Sequence, residues 1–254
     1  AAVRPLFSWC LERDLISTSP CEGLRAPPRP KSRERVLTDD EIRLAWQGSE
    51  RLSGLFGPLV KLLILTGQRR AEVAGMTWSE LDLSHRTWKL AGDRTKNGRA
   101  HEVDLSEQAI AVISTVPKTG PFLFPARGEG AARGFSATKR QLNKRVREVG
   151  QAEIDEAADL GLDDMPDAAT WRLHDLRRTA ATGMAALGFA PHVVERVLNH
   201  VSGSQGGLVG VYQRHEYRTE RKAALIAWGN RVEAIVTGQA VEADNVTQLD
   251  LHRA

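Results

Sequence analysis

Leu59-Val60-Lys61-Leu62-Leu63-Ile64-Leu65-Thr66-Gly67-Gln68-Arg69-Arg70-Ala71-Glu72-Val73 joins a core element to a charged one within a few turns of chain. Leu59 to Leu65 is apolar but for Lys61. It is too short to span a bilayer and reads as a buried helix. Gly67 tolerates left-handed backbone and is placed to end that helix. A second short helix is expected to start near Arg69 and to carry Glu72. One residue turns a helix by about 100°, so Arg69 and Arg70 are not both expected to face one site. Glu72, three residues on, can share the face of Arg69.

Outward from this stretch the chain is mainly helical. Thr38-Asp39-Asp40-Glu41 forms a capping-box pattern that opens a helix through Trp46. Downstream, Leu81-Asp82-Leu83, Thr87 to Leu90 and His101 to Leu105 read as strands, the last two joined by a turn that contains Lys96-Asn97-Gly98. Ser106 can cap a helix to about Val116, and Ser136 a basic helix to about Val149. The acidic run from Gln151 to Asp167 fits either a loop or a short helix. His174 to Leu187 is expected to be helical, with Gly188 at its end. Pro191 starts a helix reaching Asn199. A short helix is expected around Tyr212, and a long one from about Thr219 to Val236 with Leu225, Trp228, Val232 and Ile235 on one side. The fold class expected is α+β, mainly α-helical, with a small three-stranded antiparallel sheet.

The chemistry-bearing residues follow in order: Arg69, Lys96, His174-Asp175-Leu176-Arg177, Leu198-Asn199-His200 and Tyr212. A phosphodiester under attack gains negative charge on its non-bridging oxygens. Guanidinium groups match those oxygens and stay charged at any working pH. Imidazole can donate to them or move a proton. A tyrosine can be the nucleophile of a covalent intermediate. His174 and Arg177, three apart, fall on one helical face. His200 ends a helix, where the dipole favours a cationic ring. Only two tyrosines are present, Tyr212 and Tyr217.

This ordered set resembles the tyrosine recombinases, the phage integrases and related site-specific recombinases, over about residues 36–237. The resemblance implies that Arg69, Lys96, His174, Arg177, His200 and Tyr212 are catalytic, with Lys96 as general acid and Tyr212 as nucleophile. It gives Glu72 the role of orienting an arginine. It implies a site-specific recombinase (integrase) that cuts and rejoins double-stranded DNA through a 3′-phosphotyrosyl link, as a homotetramer on two duplexes. The alternatives are a type IB topoisomerase-like enzyme and a catalytically inactive DNA-binding protein. The interval from His200 to Tyr212 is longer than is usual in the family, the excess being glycine and serine. Residues 1–26 resemble the end of an N-terminal core-binding domain, with 27–35 as a proline-rich linker, 36–237 as the catalytic domain and 238–254 as a polar tail.

Composition sets the outer limits. The 254 residues carry a net charge of +3. Seven acids lie between Gln151 and Asp167, and setting them aside from the 32 leaves 25 against 35 basic residues. The remaining body is distinctly basic, as a phosphate-backbone partner requires. Two cysteines, Cys10 and Cys21, make no disulfide framework and fit a reducing cytoplasm. No cofactor, metal, nucleotide or membrane is expected: histidines lack ligand spacing, there is no phosphate-binding glycine loop, and the arginines supply the positive charge.

Overall fold

Helix α3, Phe56–Thr66, is a core helix: Leu59, Val60 and Leu62 through Leu65 are all buried. Its burial, broken only at Phe56, Pro58 and Lys61, matches its nearly uninterrupted apolar sequence. The computed structural model describes residues 3–25, 34–126, 130–159, 171–200 and 216–239. The chain divides into two units, residues 1–34 and 35–254. The first contains α1, Val3–Leu11, none of whose residues is buried. The Arg13 guanidinium lies 4.4 Å from the centroid of the Trp9 ring there.

In the second unit, α2 (Asp39–Glu50), α5 (Glu107–Ser114), α7 (Leu173–Ala186) and α9 (Arg218–Thr237) pack around α3. The capping box of α2 forms as the sequence requires. The Glu41 amide donates to Thr38 Oγ1 at 3.2 Å, and the Thr38 amide to Glu41 Oε2 at 2.9 Å. Ser106 caps α5 in the same way, accepting from the Ala109 amide at 3.3 Å. Leu225, Trp228 and Val232 bury one side of α9. Trp228 Nε1 donates to the carbonyl of Ile64 at 2.8 Å, which fixes α9 to the central helix.

The sheet is small and antiparallel, in the order β1 (Leu81–Asp82), β2 (Thr87–Leu90), β3 (His101–Asp104). Trp88 stands opposite Leu81 on one side and Val103 on the other. Trp88 and Val103 face the core, whereas Lys89 is exposed, the two-residue period of a one-sided sheet.

Helix α6 runs without interruption over Phe135–Asp159. It therefore passes the stop expected near Val149 and absorbs the start of the acidic run. Gly150 lies within it, on a helix that packs against α2. Beyond it, Gln151 bonds to Asp155 at 2.8 Å and Glu153 pairs with Arg43 of α2. Residues 160–167 of that run lie outside the described residues. Among the described residues no helix is long and apolar enough to cross a membrane.

Candidate active site

Gly67 turns the chain at the end of α3 with φ of +63°. A Cβ at this position would lie 3.0 Å from both Ala180 of α7 and Leu198. The turn is thus left-handed and closely packed at once, and both conditions favour glycine. It leads to Arg69, an extended residue with φ −68° and ψ 141° that caps α4, Arg70–Ala74. Glu72 secures Arg69 twice. One carboxylate oxygen accepts its backbone amide at 3.1 Å and the other its guanidinium at 2.8 Å.

Because Arg69 precedes the helix, the rotation per helical residue does not separate it from Arg70. Both line one open cleft of about 530 Å³, together with Lys96 and His174. This corrects the expectation that only one of the two arginines could face the site. Lys139 and Arg140 of α6 and Arg172 add further positive charge, and none of the described residues lining the cleft is acidic. Two rings on its wall carry cations: Arg70 lies 4.6 Å from the centroid of Phe135, and Lys139 3.4 Å from that of Trp171. Burial lowers the Lys139 ammonium to about 8, outweighing the opposing attraction of Asp175.

Arg177 is buried and is not among the residues that line the cleft. Its guanidinium donates to the carbonyl of Gly67 at 3.0 Å and to that of Leu198. Burial, and after it the charge of Arg69, brings Arg177 down to about 10, with Glu72 opposing. Two guanidinium groups that repel each other in this way favour an anion placed between or before them. His174, on the same helix, is exposed in the cleft. Partial burial and the neighbouring charges of Arg178 and Arg177 hold its imidazole below the ordinary value. Arg178 pairs instead with the buried Asp175 at 2.7 Å, while the other oxygen of Asp175 caps α7 through the Arg172 amide at 2.7 Å.

Lys96 is exposed on the connection between β2 and β3. That connection is anchored at its base by Arg94, which bonds to Glu80 at 2.7 Å and to the carbonyl of Glu72 at 3.2 Å. Gly98, with φ of +72°, lets it turn back toward β3. Next to Lys96, Asn97 reaches across to Asn199, which follows α8, Pro191–Val197. Asn199 is left-handed, with φ of +46°, a conformation that asparagine tolerates better than most residues. Its carbonyl accepts from Arg69 Nη2 at 3.1 Å.

His200 is placed differently from His174. Its backbone amide closes the turn after α8 onto Glu195 at 2.9 Å. Its side chain is exposed and lines a separate cavity of about 100 Å³ with His101, Asn199 and Arg221. Tyr212 lies outside the described residues. The other tyrosine, Tyr217, packs its ring against His192, with centroids 4.6 Å apart.

Two residues beneath the site were not singled out in the sequence. Gln68 is buried and donates to the carbonyls of Thr66 at 3.1 Å and Val197 at 2.9 Å, joining the ends of α3 and α8. Its signal was a polar residue directly after a buried run. His101 of β3 is also buried and bonds through Nε2 to the carbonyl of Val197 at 3.0 Å. Burial, with the charges of Arg221, Arg177 and Arg69, lowers its imidazole to about 4. Among the described residues no group of three or more His, Cys, Asp or Glu side chains is disposed to hold a metal ion.

Residues 35–218 match the phage integrase family. The chain belongs to that family. Among its relatives, the prophage integrase IntA of Escherichia coli (strain K12) is 30% identical over 181 residues, covering 70% of this chain and 39% of IntA. The tyrosine recombinase XerC of Xanthomonas campestris pv. campestris (strain B100) is 30% identical over 138 residues, covering 52% of this chain and 42% of XerC. The chain thus spans about two fifths of the length of these integrase-family relatives. The integrase fold is also evident in solved structures. The integrase of mycobacterium phage Brujita superposes with a TM-score of 0.55 at 16% identity, covering 92% of this chain and 74% of that one. A lambda integrase (75–356) dimer bound to a COC′ core site gives 0.54 at 18% identity, covering 79% of this chain and 69% of that one.

Proposed function

We propose that this phage integrase family member is a site-specific recombinase that cuts and rejoins double-stranded DNA through a 3′-phosphotyrosyl intermediate. The observation that carries the reading is the cleft: Arg69, Lys96 and His174 line one basic surface, and Arg177 stands buried beside Arg69. A scissile phosphate seated there relieves the repulsion between the two guanidinium groups. The same groups stabilise the added charge of the pentavalent transition state.

In the proposed reaction Tyr212 Oη bonds to phosphorus as the bond from phosphorus to O5′ breaks. His174, whose imidazole partial burial and then the charges of Arg178 and Arg177 hold below its ordinary value, takes the phenolic proton. Lys96 gives a proton to O5′, so the leaving strand departs as a hydroxyl. Rejoining runs the same steps backward with the 5′ hydroxyl of another strand. The energy of the broken bond stays in the phosphotyrosine, so no nucleotide is consumed. His200 belongs to the same proposed set through its place in the turn that supplies carbonyls to both arginines. Glu72 holds Arg69 for the reaction. Exchange between two duplexes involves four strands and needs one tyrosine for each, which calls for four copies of the chain. The proposed setting is the cytoplasm, where DNA is accessible.

The test is covalent capture. A randomised pool of nicked duplexes is incubated with the protein, and DNA that stays attached after denaturation is sequenced. Attachment of a defined sequence by wild type, lost in Tyr212→Phe with DNA binding retained, is the expected result. Capture by Tyr212→Phe, or none by wild type, overturns the reading.

A further inference from the structure

Lys96 presents a difficulty for general acid catalysis. It is an exposed lysine on a connection of ten residues between β2 and β3. A lysine side chain has several rotatable bonds, and a long loop adds freedom of its own. Proton transfer requires the donor within about 3 Å of the leaving oxygen. Something must hold the loop at the correct distance from the arginines that hold the phosphate.

The next residue supplies that hold. Asn97 Nδ2 donates to Asn199 Oδ1 at 2.9 Å and to the Asn199 carbonyl at 3.1 Å. In return Asn199 Nδ2 approaches Asn97 Oδ1 at 3.3 Å and the Arg99 carbonyl at 3.5 Å. The loop side of Asn97 is braced as well. Its Oδ1 accepts from Thr95 Oγ1 at 3.1 Å and from the Arg99 amide at 3.2 Å. The Asn199 carbonyl that receives Asn97 also receives Arg69 Nη2, both at 3.1 Å. One oxygen therefore ties the phosphate-clamping arginine and the neighbour of Lys96 to a common point.

We infer that Asn97 and Asn199 form an amide clasp that positions Lys96 over the scissile phosphate relative to Arg69. The inference rests on the proposed recombinase chemistry, with Lys96 giving its Nζ proton to O5′ as the phosphorus–oxygen bond breaks. Neither asparagine exchanges a proton. Both are positioning residues, and their effect passes through Lys96.

A substrate whose bridging 5′ oxygen is replaced by sulfur separates this role from general support, because a thiolate leaves without a proton. The duplex captured by wild type is made in both forms, and single-turnover cleavage is measured for Lys96→Ala, Asn97→Ala and Asn199→Gly. Glycine at 199 keeps the left-handed turn and the carbonyl that Asn97 and Arg69 share, while removing the side-chain half of the clasp. Asn97→Ala acts from the loop side, so the two variants do not share one folding risk. Each asparagine variant is expected to cleave the oxygen substrate at least about tenfold more slowly than wild type and the sulfur substrate within about threefold of it. The double variant is expected to be no slower than the slower single one, as for two halves of one contact. Equal slowing on both substrates, or slowing on neither, overturns the clasp while Lys96→Ala is still rescued by sulfur. Failure of sulfur to rescue Lys96→Ala overturns the acid role of Lys96, and the clasp with it.

Discussion

Arg69 and Arg177 bind successive carbonyls of one turn: Arg177 donates to Leu198 and Arg69 to Asn199. Arg177 also holds the carbonyl of Gly67, so its fork joins the end of α3 to the end of α8. A lysine has no fork: its three donors radiate from a single nitrogen, whereas Arg177 meets its two carbonyls with two separate nitrogens. Arg177→Lys should therefore lose both activity and stability. Cleavage is expected to fall about 10²–10³-fold, and unfolding free energy by about 1–3 kcal/mol from a buried acceptor left unmet. Arg69→Ala should show a similar loss of cleavage with a much smaller change in stability, because its guanidinium is partly exposed. Denaturant titration beside single-turnover cleavage distinguishes the two cases. Arg177→Lys within threefold of wild type in cleavage would remove it from the clamp.

Gly67→Ala combines left-handed strain with contact at 3.0 Å to Ala180 and Leu198. Left-handed backbone costs a non-glycine residue about 1–2 kcal/mol, and forcing a methyl into a packed site adds about 1–3 kcal/mol. The melting temperature should drop by several degrees, since about 1 kcal/mol corresponds to roughly 2–4 °C in a chain of this size. Cleavage should fall too, because the displaced carbonyl is the one that holds Arg177. An unchanged melting temperature would contradict this account of the turn.

His101 should make stability depend on mildly acidic pH. Its folded-state value of about 4 lies below the unfolded value of about 6.5. The unfolded chain therefore takes up the proton first as pH falls. The stabilisation from keeping the ring neutral is present above about pH 6.5 and is lost progressively toward pH 4. The full loss is on the order of 3 kcal/mol. His101→Gln keeps a donor for the Val197 carbonyl but does not titrate. Its unfolding free energy should fall less steeply across that window in denaturant titrations at stepped pH. Parallel curves for the two proteins would show that His101 does not contribute.

The cleft cations should govern the salt dependence of DNA binding. Arg70 and Arg140 line it, and none of the described residues lining it is acidic. Replacing either with alanine should lower the slope of log affinity against log salt by about one, for any duplex sequence. Fluorescence anisotropy at several salt concentrations measures this. An unchanged slope would place that arginine away from the backbone.

The central helix, the capping box of α2, the three strands and the family were all legible in the sequence. Each is written in local pattern: an apolar run, a threonine three residues before a glutamate, alternating strands, an ordered set of cations. Three features were not. Arg69 and Arg70 share the cleft because Arg69 is extended, and residue spacing assumes a helix before one has begun. The length of α6 goes with its packing against α2, to which Glu153 is tied by Arg43, a contact that local pattern does not show. Asn97 and Asn199 stand 102 positions apart, and two amides at that separation leave no periodic trace. The role of Tyr212 rested on order in the chain, and its position lies outside the described residues.

The arginines of this site are held largely by main-chain oxygens, those of Gly67, Leu198 and Asn199. Every residue type contributes a carbonyl, so no codon change at 198 or 199 can delete these acceptors. Drift among related genes can then alter the side chains of that turn while the guanidinium groups keep their seats, provided the backbone path survives. Changes that unseat the guanidinium groups should concentrate at the arginines themselves and at the glycine that sets the path. A deep mutational scan would register proline or any insertion at 198–199 as the change that unseats both arginines, and would separate from it the side-chain demands of Asn199, which are those of its left-handed turn and its bond to Asn97.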